Sequence, residues 1–261
     1  MHFDNDTRTE RTSPGVYNAA ISDRWSINNN PNGGYLMAVM SRALLTQSDF
    51  SSTPIVTANY LARCVPGPAT IEVREISRTR QFHRFEASII QDGAERVRAL
   101  ATFASGGGDC SINRYEASPP ELAPREDCVL IPTIPTYTLF GELDVMLDPS
   151  CAGWMQNKLV ERSENKGWMR FKNERPYDLP AVLLIADSMP PAVMASQGMM
   201  TWVPTIEISV NVRAMPQSTW LRCSLRTRFI TCGLLEADGE VWDEAGNLVA
   251  ISRQIAQAKK L

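Results

Sequence analysis

The chain has 261 residues, 44% of them hydrophobic and 21% charged, enough apolar material for a sizeable core and unlike a disordered segment. Lys and Arg number 26 against 29 Asp and Glu, a net charge of −3, so no basic field exists to hold nucleic acid or an anionic membrane. Cys64, Cys110, Cys128, Cys151, Cys223 and Cys232 form no C-x-x-C pair and no other metal-ligand spacing, which excludes a zinc knuckle or redox dithiol and leaves reduced thiols as the expectation.

The opening Met1-His2-Phe3-Asp4-Asn5-Asp6 lacks the basic start and apolar stretch of a signal peptide. The longest purely apolar run, Ala181 to Ala186, falls far short of the roughly 18 residues of a membrane span. A soluble cytoplasmic protein is expected. Lys259-Lys260-Leu261 is one residue away from the peroxisomal Ser-Lys-Leu address, too short a match to displace that expectation.

Pro31-Asn32-Gly33-Gly34 is turn chemistry, and it opens onto Tyr35 to Leu45, apolar and free of charge until Arg42, which predicts a buried helix. After a break at Ser51 to Pro54 come four segments rich in β-formers: Ile55 to Val65, Ala69 to Thr79, Phe82 to Gln91 and Glu95 to Ala104. Pro66-Gly67-Pro68 and Asp92-Gly93 separate them, the latter a hairpin signal. Phe85, Ala87 and Ile89 alternate with Arg84, Glu86 and Ser88, as a half-buried strand requires. Residues 1–104 therefore read as one helix plus an antiparallel meander.

Residues 105–135, with Gly106-Gly107-Gly108, Pro119-Pro120, Pro124, Pro132 and Pro135, suit neither a central strand nor a helix interior and read as a linker. Residues 136–261 repeat the plan. Thr138 to Met146 and Lys166 to Phe171 predict strands, and Leu179 to Ser196 predicts a second long apolar helix despite Pro190-Pro191. Strands are expected over Trp202 to Met215, Trp220 to Thr231, Leu234 to Trp242 and Leu248 to Ala256, with turns at Ala237-Asp238-Gly239 and Glu244-Ala245-Gly246-Asn247. A shift of 150 lays Arg63-Cys64-Val65-Pro66 on Arg213-Ala214-Met215-Pro216. The recurring order, helix then strands, implies two similar α+β units, each with a helix covering its sheet.

Ile185-Ala186-Asp187 places a lone carboxylate in the apolar second helix, where ionised side chains are rarely buried without purpose. The alternative is a structural carboxylate that ties down backbone ahead of Pro190-Pro191. Met189, Met194, Met199, Met200 and Trp202 could line an apolar tunnel or simply fill the core. Arg222, Arg226 and Arg228 could meet phosphates or form a solvated outer face. No G-x-S-x-G elbow and no G-x-x-x-x-G-K-[ST] loop occurs, and the histidines are His2, in a terminus expected to fray, and His83, in a strand-turn context. Serine-hydrolase and P-loop chemistry are thereby excluded.

The order of elements and several strings resemble the acyl-CoA thioesterase family of the bacterial thioesterase II kind. Trp25-Ser26-Ile27-Asn28-Asn29-Asn30-Pro31-Asn32-Gly33-Gly34-Tyr35-Leu36 is similar to that family's glycine-rich start of the first central helix. Pro204-Thr205-Ile206-Glu207-Ile208-Ser209 is similar to its first long strand after the second helix, and Leu248-Val249-Ala250-Ile251-Ser252-Arg253-Gln254 to its last strand. The resemblance implies an α+β double hotdog, two fused modules each wrapping an antiparallel sheet around a long helix. It implies Asp187 as general base, Thr205 and Gln254 as the groups that orient a water, and Asn32, Gly33 and Gly34 as substrate-binding. The implied activity is hydrolysis of an acyl-CoA to free CoA and a carboxylic acid, with no metal or other cofactor. A non-catalytic acyl-CoA binding or scaffold protein, or an enoyl-CoA hydratase, are the alternatives, the last disfavoured by the want of a His on a central helix. A homodimer or higher homo-oligomer is expected, with no nucleic-acid partner.

Overall fold

The computed structural model describes residues 1–106, 112–199 and 201–260, with only the backbone path described for Thr53, Thr201, Trp202, Lys259 and Lys260. Gly107, Gly108, Cys110, Met200, Leu261 and the Trp202 side chain, all singled out above, lie outside the described residues.

The elements in chain order are β1 (Thr9–Ser13), β2 (Val16–Ile21), α1 (Gly33–Gln47), β3 (Ser52–Tyr60), β4 (Gly67–Arg78), β5 (Phe82–Gln91), β6 (Ala94–Ala104), β7 (Leu143–Leu147), β8 (Glu164–Phe171), α2 (Leu179–Ala186), β9 (Thr205–Val212), β10 (Leu221–Arg226), β11 (Leu234–Asp243) and β12 (Leu248–Gln257), with shorter pieces between them. The strands form one antiparallel sheet in the order β1-β2-β4-β5-β6-β3-β9-β12-β11-β10-β8-β7. This is the double hotdog expected from the resemblance: each half wraps its strands around one helix.

The two halves meet where β3 pairs with β9. Ala58 faces Ile208 and Val56 faces Val210, so Ala58 lies opposite the residue that the 150-residue shift makes its equivalent. The sheet is continuous across this seam and leaves no edge there. The hairpin read from Asp92-Gly93 is present: both residues have positive φ, 52° and 72°, and Gln91 pairs with Ala94, as a two-residue turn of this type requires.

The Asn32 side chain accepts from the Tyr35 amide at 3.0 Å and starts α1. Most of α1 from Gly34 to Leu44 is buried, and every residue of α2 is buried. A helix buried on all sides needs cover on both flanks, and α1 has strands on one side and α2 on the other. At the helix crossing a Cβ on Gly34 would stand 2.7 Å from the Leu183 carbonyl oxygen and 3.0 Å from Leu184 Cα. Only a glycine lets the backbones approach this closely.

Several sequence expectations need correction, beginning at the terminus expected to fray, where His2–Asp6 is a short helix with Phe3 buried. The second helix ends at Ala186 instead of running to Ser196, and Asp187 is its C-cap. The Asp187 and Ser188 amides bond the Leu184 and Ile185 carbonyls three residues back, tightening the last turn, and Pro190-Pro191 cannot continue it. Ala237-Asp238-Gly239 is no turn but the middle of β11. A Cβ on Gly239 would collide with the Ser252 hydroxyl and meet Leu225 at 3.3 Å, so this glycine serves close packing. The stretch from Thr138 begins with a helical turn, Leu139–Glu142, before β7. The strand expected from Trp202 begins at Thr205, and Thr201–Trp202 instead pairs with Lys259–Lys260 in a separate ribbon. No helix among the described residues is long and apolar enough to cross a membrane.

Candidate active site

The N-terminal turn of α1 and the C-terminal end of α2 meet. Asp187 Oδ2 accepts from the Gly34 amide at 2.8 Å and from Asn32 Nδ2 at 3.2 Å, and the same Nδ2 donates to the Asp187 carbonyl at 2.9 Å. Asn32 thus caps one helix with its oxygen and holds the end of the other with its nitrogen. Asp187 Oδ1 accepts no protein hydrogen bond among the described residues. Burial pushes the Asp187 carboxyl up to about 6, against the Gly34 and Asn32 hydrogen bonds that pull it down. The result is a carboxylate more basic than usual yet ionised at neutral pH.

Asp187 lines a cavity of about 740 Å³. Thr205, at the first position of β9, and Gln254, in β12, line it too. Between Thr205 and Glu207 the β9–β12 register slips, so that Thr205 faces Ala256 while Ile208 faces Gln254. Across this bulge the Thr205 hydroxyl donates to Gln254 Oε1 at 3.0 Å. That bond leaves the Thr205 oxygen as an acceptor and the Gln254 NH₂ as a donor, both beside the cavity.

The three groups expected to bind substrate separate. Asn32 and Gly33 are in the lining. Gly34 is buried and absent from it, and its amide is committed to Asp187. Of the first-turn amides of α1, Tyr35 bonds its own cap and Gly34 bonds Asp187, which leaves that of Gly33 without a partner among the described residues.

Met189, Met194 and Met199 are in the cavity wall, with Met155, Trp154 and Phe140, so the methionine group is more than core filling. Ile131, Pro132 and Ile134, from the segment read as linker, complete the apolar wall; Val129–Leu130 has joined the sheet edge beside β7. Arg222, Arg226 and Arg228 do not reach the cavity. Arg222 stacks on Trp168 with its guanidinium 5.1 Å from the ring, and Arg228 pairs with Asp238.

Tyr60 and Arg63 also line the cavity, and no local pattern singles either out. Cys64 and Ser188 are beside them. Burial pushes the Cys64 thiol up to about 12, and the Ser188 hydroxyl is tied to the Leu184 carbonyl at 2.7 Å. No histidine lines the cavity; His83 is buried in β5 with Nε2 3.0 Å from Glu75. Among the described residues the cavity thus offers no activated nucleophile. No group of three or more potential metal ligands occurs among the described residues.

Residues 21–104 match the family model of the acyl-CoA thioesterase N-terminal domain, and residues 120–258 match that of the C-terminal domain. A protein of Thermobifida fusca with the provisional description of thioesterase II superposes with a TM-score of 0.88 at 25% identity, covering 98% of each chain. A hot dog fold protein of unknown function from Alicyclobacillus acidocaldarius also has a TM-score of 0.88, at 22% identity over 100% of this chain and 99% of its own. An uncharacterised protein of Mycobacterium tuberculosis is 24% identical over 92% of this chain and 90% of its own.

Proposed function

The chain belongs to the acyl-CoA thioesterase family, and from that premise we propose that it hydrolyses an acyl-CoA thioester to free CoA and a carboxylic acid by direct attack of water. The observation that carries the reading is the hydrogen-bond polarity at the cavity wall. Asp187 Oδ1 is a free acceptor, Thr205 has given its hydrogen to Gln254 and so can only accept, and the Gln254 NH₂ is a free donor.

In this reading one water bridges the three groups, and it has four positions to fill. It donates one hydrogen to Asp187 Oδ1 and the other to Thr205 Oγ1, and one lone pair accepts from Gln254 Nε2. The remaining lone pair faces the thioester carbonyl, so the wall fixes the nucleophile's orientation before reaction. As the new C–O bond forms, Asp187 takes the proton. The Gly33 amide, at the positive end of α1, supplies a donor to the carbonyl oxygen as it gains charge. The C–S bond then breaks, and CoA leaves as a thiolate that recovers a proton from Asp187 or from solvent. The apolar wall of methionines and aromatics accepts the acyl group, which anchors the reacting carbon.

The test is thiol release from a panel of acyl-CoAs of different chain length, run in ¹⁸O-labelled water. One labelled oxygen in the acid and no acyl adduct on the protein are expected. Binding without thiol release would favour the non-catalytic alternative, and a covalent acyl adduct would overturn direct hydrolysis. The exposed Ile55, Leu100 and Ile251 share the outer face of the central strands, which supports a homodimer or higher assembly through that face, measurable by light scattering.

A further inference from the structure

Tyr60 closes β3. The pairing of Asn59 with Glu207 puts it opposite the bulge from which Thr205 projects. Its side chain lines the cavity, but its hydroxyl oxygen is sealed from solvent and has no hydrogen-bond partner among the described residues. A buried hydroxyl left unpaired is costly and calls for an explanation. The hydroxyl sits over Gly33, so close that a Cβ there would collide with it, and Asp187 Oδ2 is 3.0 Å from the point where that Cβ would stand. Phenol and carboxylate therefore converge on one glycine, and any side chain there would part them.

We infer that Tyr60 is a positioning residue for the base: on ionisation of Asp187 its ring shifts to bring the O–H onto the carboxylate as a third donor beside Gly34 and Asn32. The inference rests on the reading of Asp187 as general base. Ionised Asp187 has room for the bond on Oδ1: a carboxylate accepts about four hydrogen bonds, two at each oxygen, and the two from the protein are both to Oδ2, which leaves Oδ1 able to take the phenol as well as the water. Burial, and then the charge of Asp187, hold the phenol well above its ordinary range, so it stays a donor throughout. Other groups facing Asp187 leave its titration distinct. From α1 they are the Asn32 amide and backbone, α2 brings none, and β9 and β12 bring the uncharged Thr205 and Gln254. The segment after β3 brings Cys64, which stays a thiol, and Arg63, the other charged residue of the lining among the described residues.

The experiment is Tyr60→Phe, read against pH in two ways. In kcat/KM the acid limb of the variant should move up by about one pH unit, the effect of one donor to a carboxylate. Its loss should therefore be about tenfold at low pH and shrink towards high pH. In denaturant unfolding the variant should match or exceed the wild type where Asp187 is protonated and fall behind it above about pH 7. In the Asp187→Asn background that pH dependence should vanish. A loss of kcat with the limb unmoved would overturn the inference and place the hydroxyl on the substrate, and no change in either readout would leave Tyr60 as packing alone. The unfolding arm needs no turnover, so it decides the Tyr60–Asp187 coupling even if the hydrolase reading fails.

Discussion

Replacing Asp187 by Asn separates the two consequences of burying a carboxylate. Asn can put its oxygen where Oδ2 is, keeping the bonds from Gly34 and Asn32, while its NH₂ takes the place of the free Oδ1. Packing and polar satisfaction survive, and the proposed base is lost. Turnover should fall by about 10²–10⁴-fold. Stability should move the other way. Burial pushes the folded carboxyl up to about 6 from the 3.8 of a free aspartate, so between these values the folded state holds the proton that the unfolded chain has released. Stability attributable to this group is therefore present below the unfolded value and lost as pH rises through the folded one. Two pH units correspond to about 3 kcal/mol, a burden that Asn does not carry. The variant should be more stable than the wild type by about 3 kcal/mol at pH 8, by about half that at pH 5, and by nothing below about pH 3.8. Denaturant unfolding at a series of pH values, beside thiol-release kinetics on the same preparations, measures both. An inactive variant whose stability difference from wild type is the same at pH 5 and pH 8 would refute the buried-base argument.

The acid limb of kcat/KM in the wild type should have its midpoint near 6, because only the ionised carboxylate accepts the proton; a profile flat down to pH 5 would remove Asp187 from the rate expression. Thr205→Ala and Gln254→Ala should each lower kcat/KM by about 10–100-fold, and adding either to Asp187→Asn should cost little more, since residues that hold one water act as a unit. Multiplying losses would show that the pair acts elsewhere. Gly34→Ala should destabilise the fold by about 1–3 kcal/mol through forced separation of the helices, seen as a lowered denaturant midpoint; an unchanged midpoint would mean that the crossing is loose.

What the sequence made legible was mostly local. Asn32-Gly33-Gly34 ahead of an apolar run marks the start of α1 because the cap, the close approach and the buried face are all written within a few residues. Asp92-Gly93 marks its hairpin for the same reason. Asp187 stood out as the lone charge of an apolar stretch. The misreadings needed information from elsewhere in the chain. Gly239 looks like a turn residue until Ser252 and Leu225 are seen packed on it. The bond between Thr205 and Gln254 joins residues 49 positions apart, and Tyr60 has meaning only beside Gly33 and Asp187, which lie on two other elements. The linker, read from its prolines, supplies Ile131, Pro132 and Ile134 to the cavity, because proline excludes regular structure without excluding packing.

The duplication raises the question of whether one chain carries one base or two. The helices run antiparallel, so the crossing has two ends. At one, the cap of α1, Asn32, faces Asp187 at the end of α2. At the other, the cap of α2, Asp178, faces Arg42 of α1 at 2.9 Å, and Arg175 at 3.2 Å. Asp4 bonds both arginines, and Phe3 is buried against Trp25 and Phe171 with the Arg175 guanidinium 4.8 Å from its ring. Burial would raise the Asp178 carboxyl, but Arg175 and Arg42 hold it below the usual range. A carboxylate so paired is a poor base. The two ends differ: one leaves a carboxylate half free and the other neutralises it. Asp187→Asn should therefore remove the one proposed base of the chain: its residual activity should be at or below about 1% of wild type, whereas about half remaining would show a second working site at the Asp178 end.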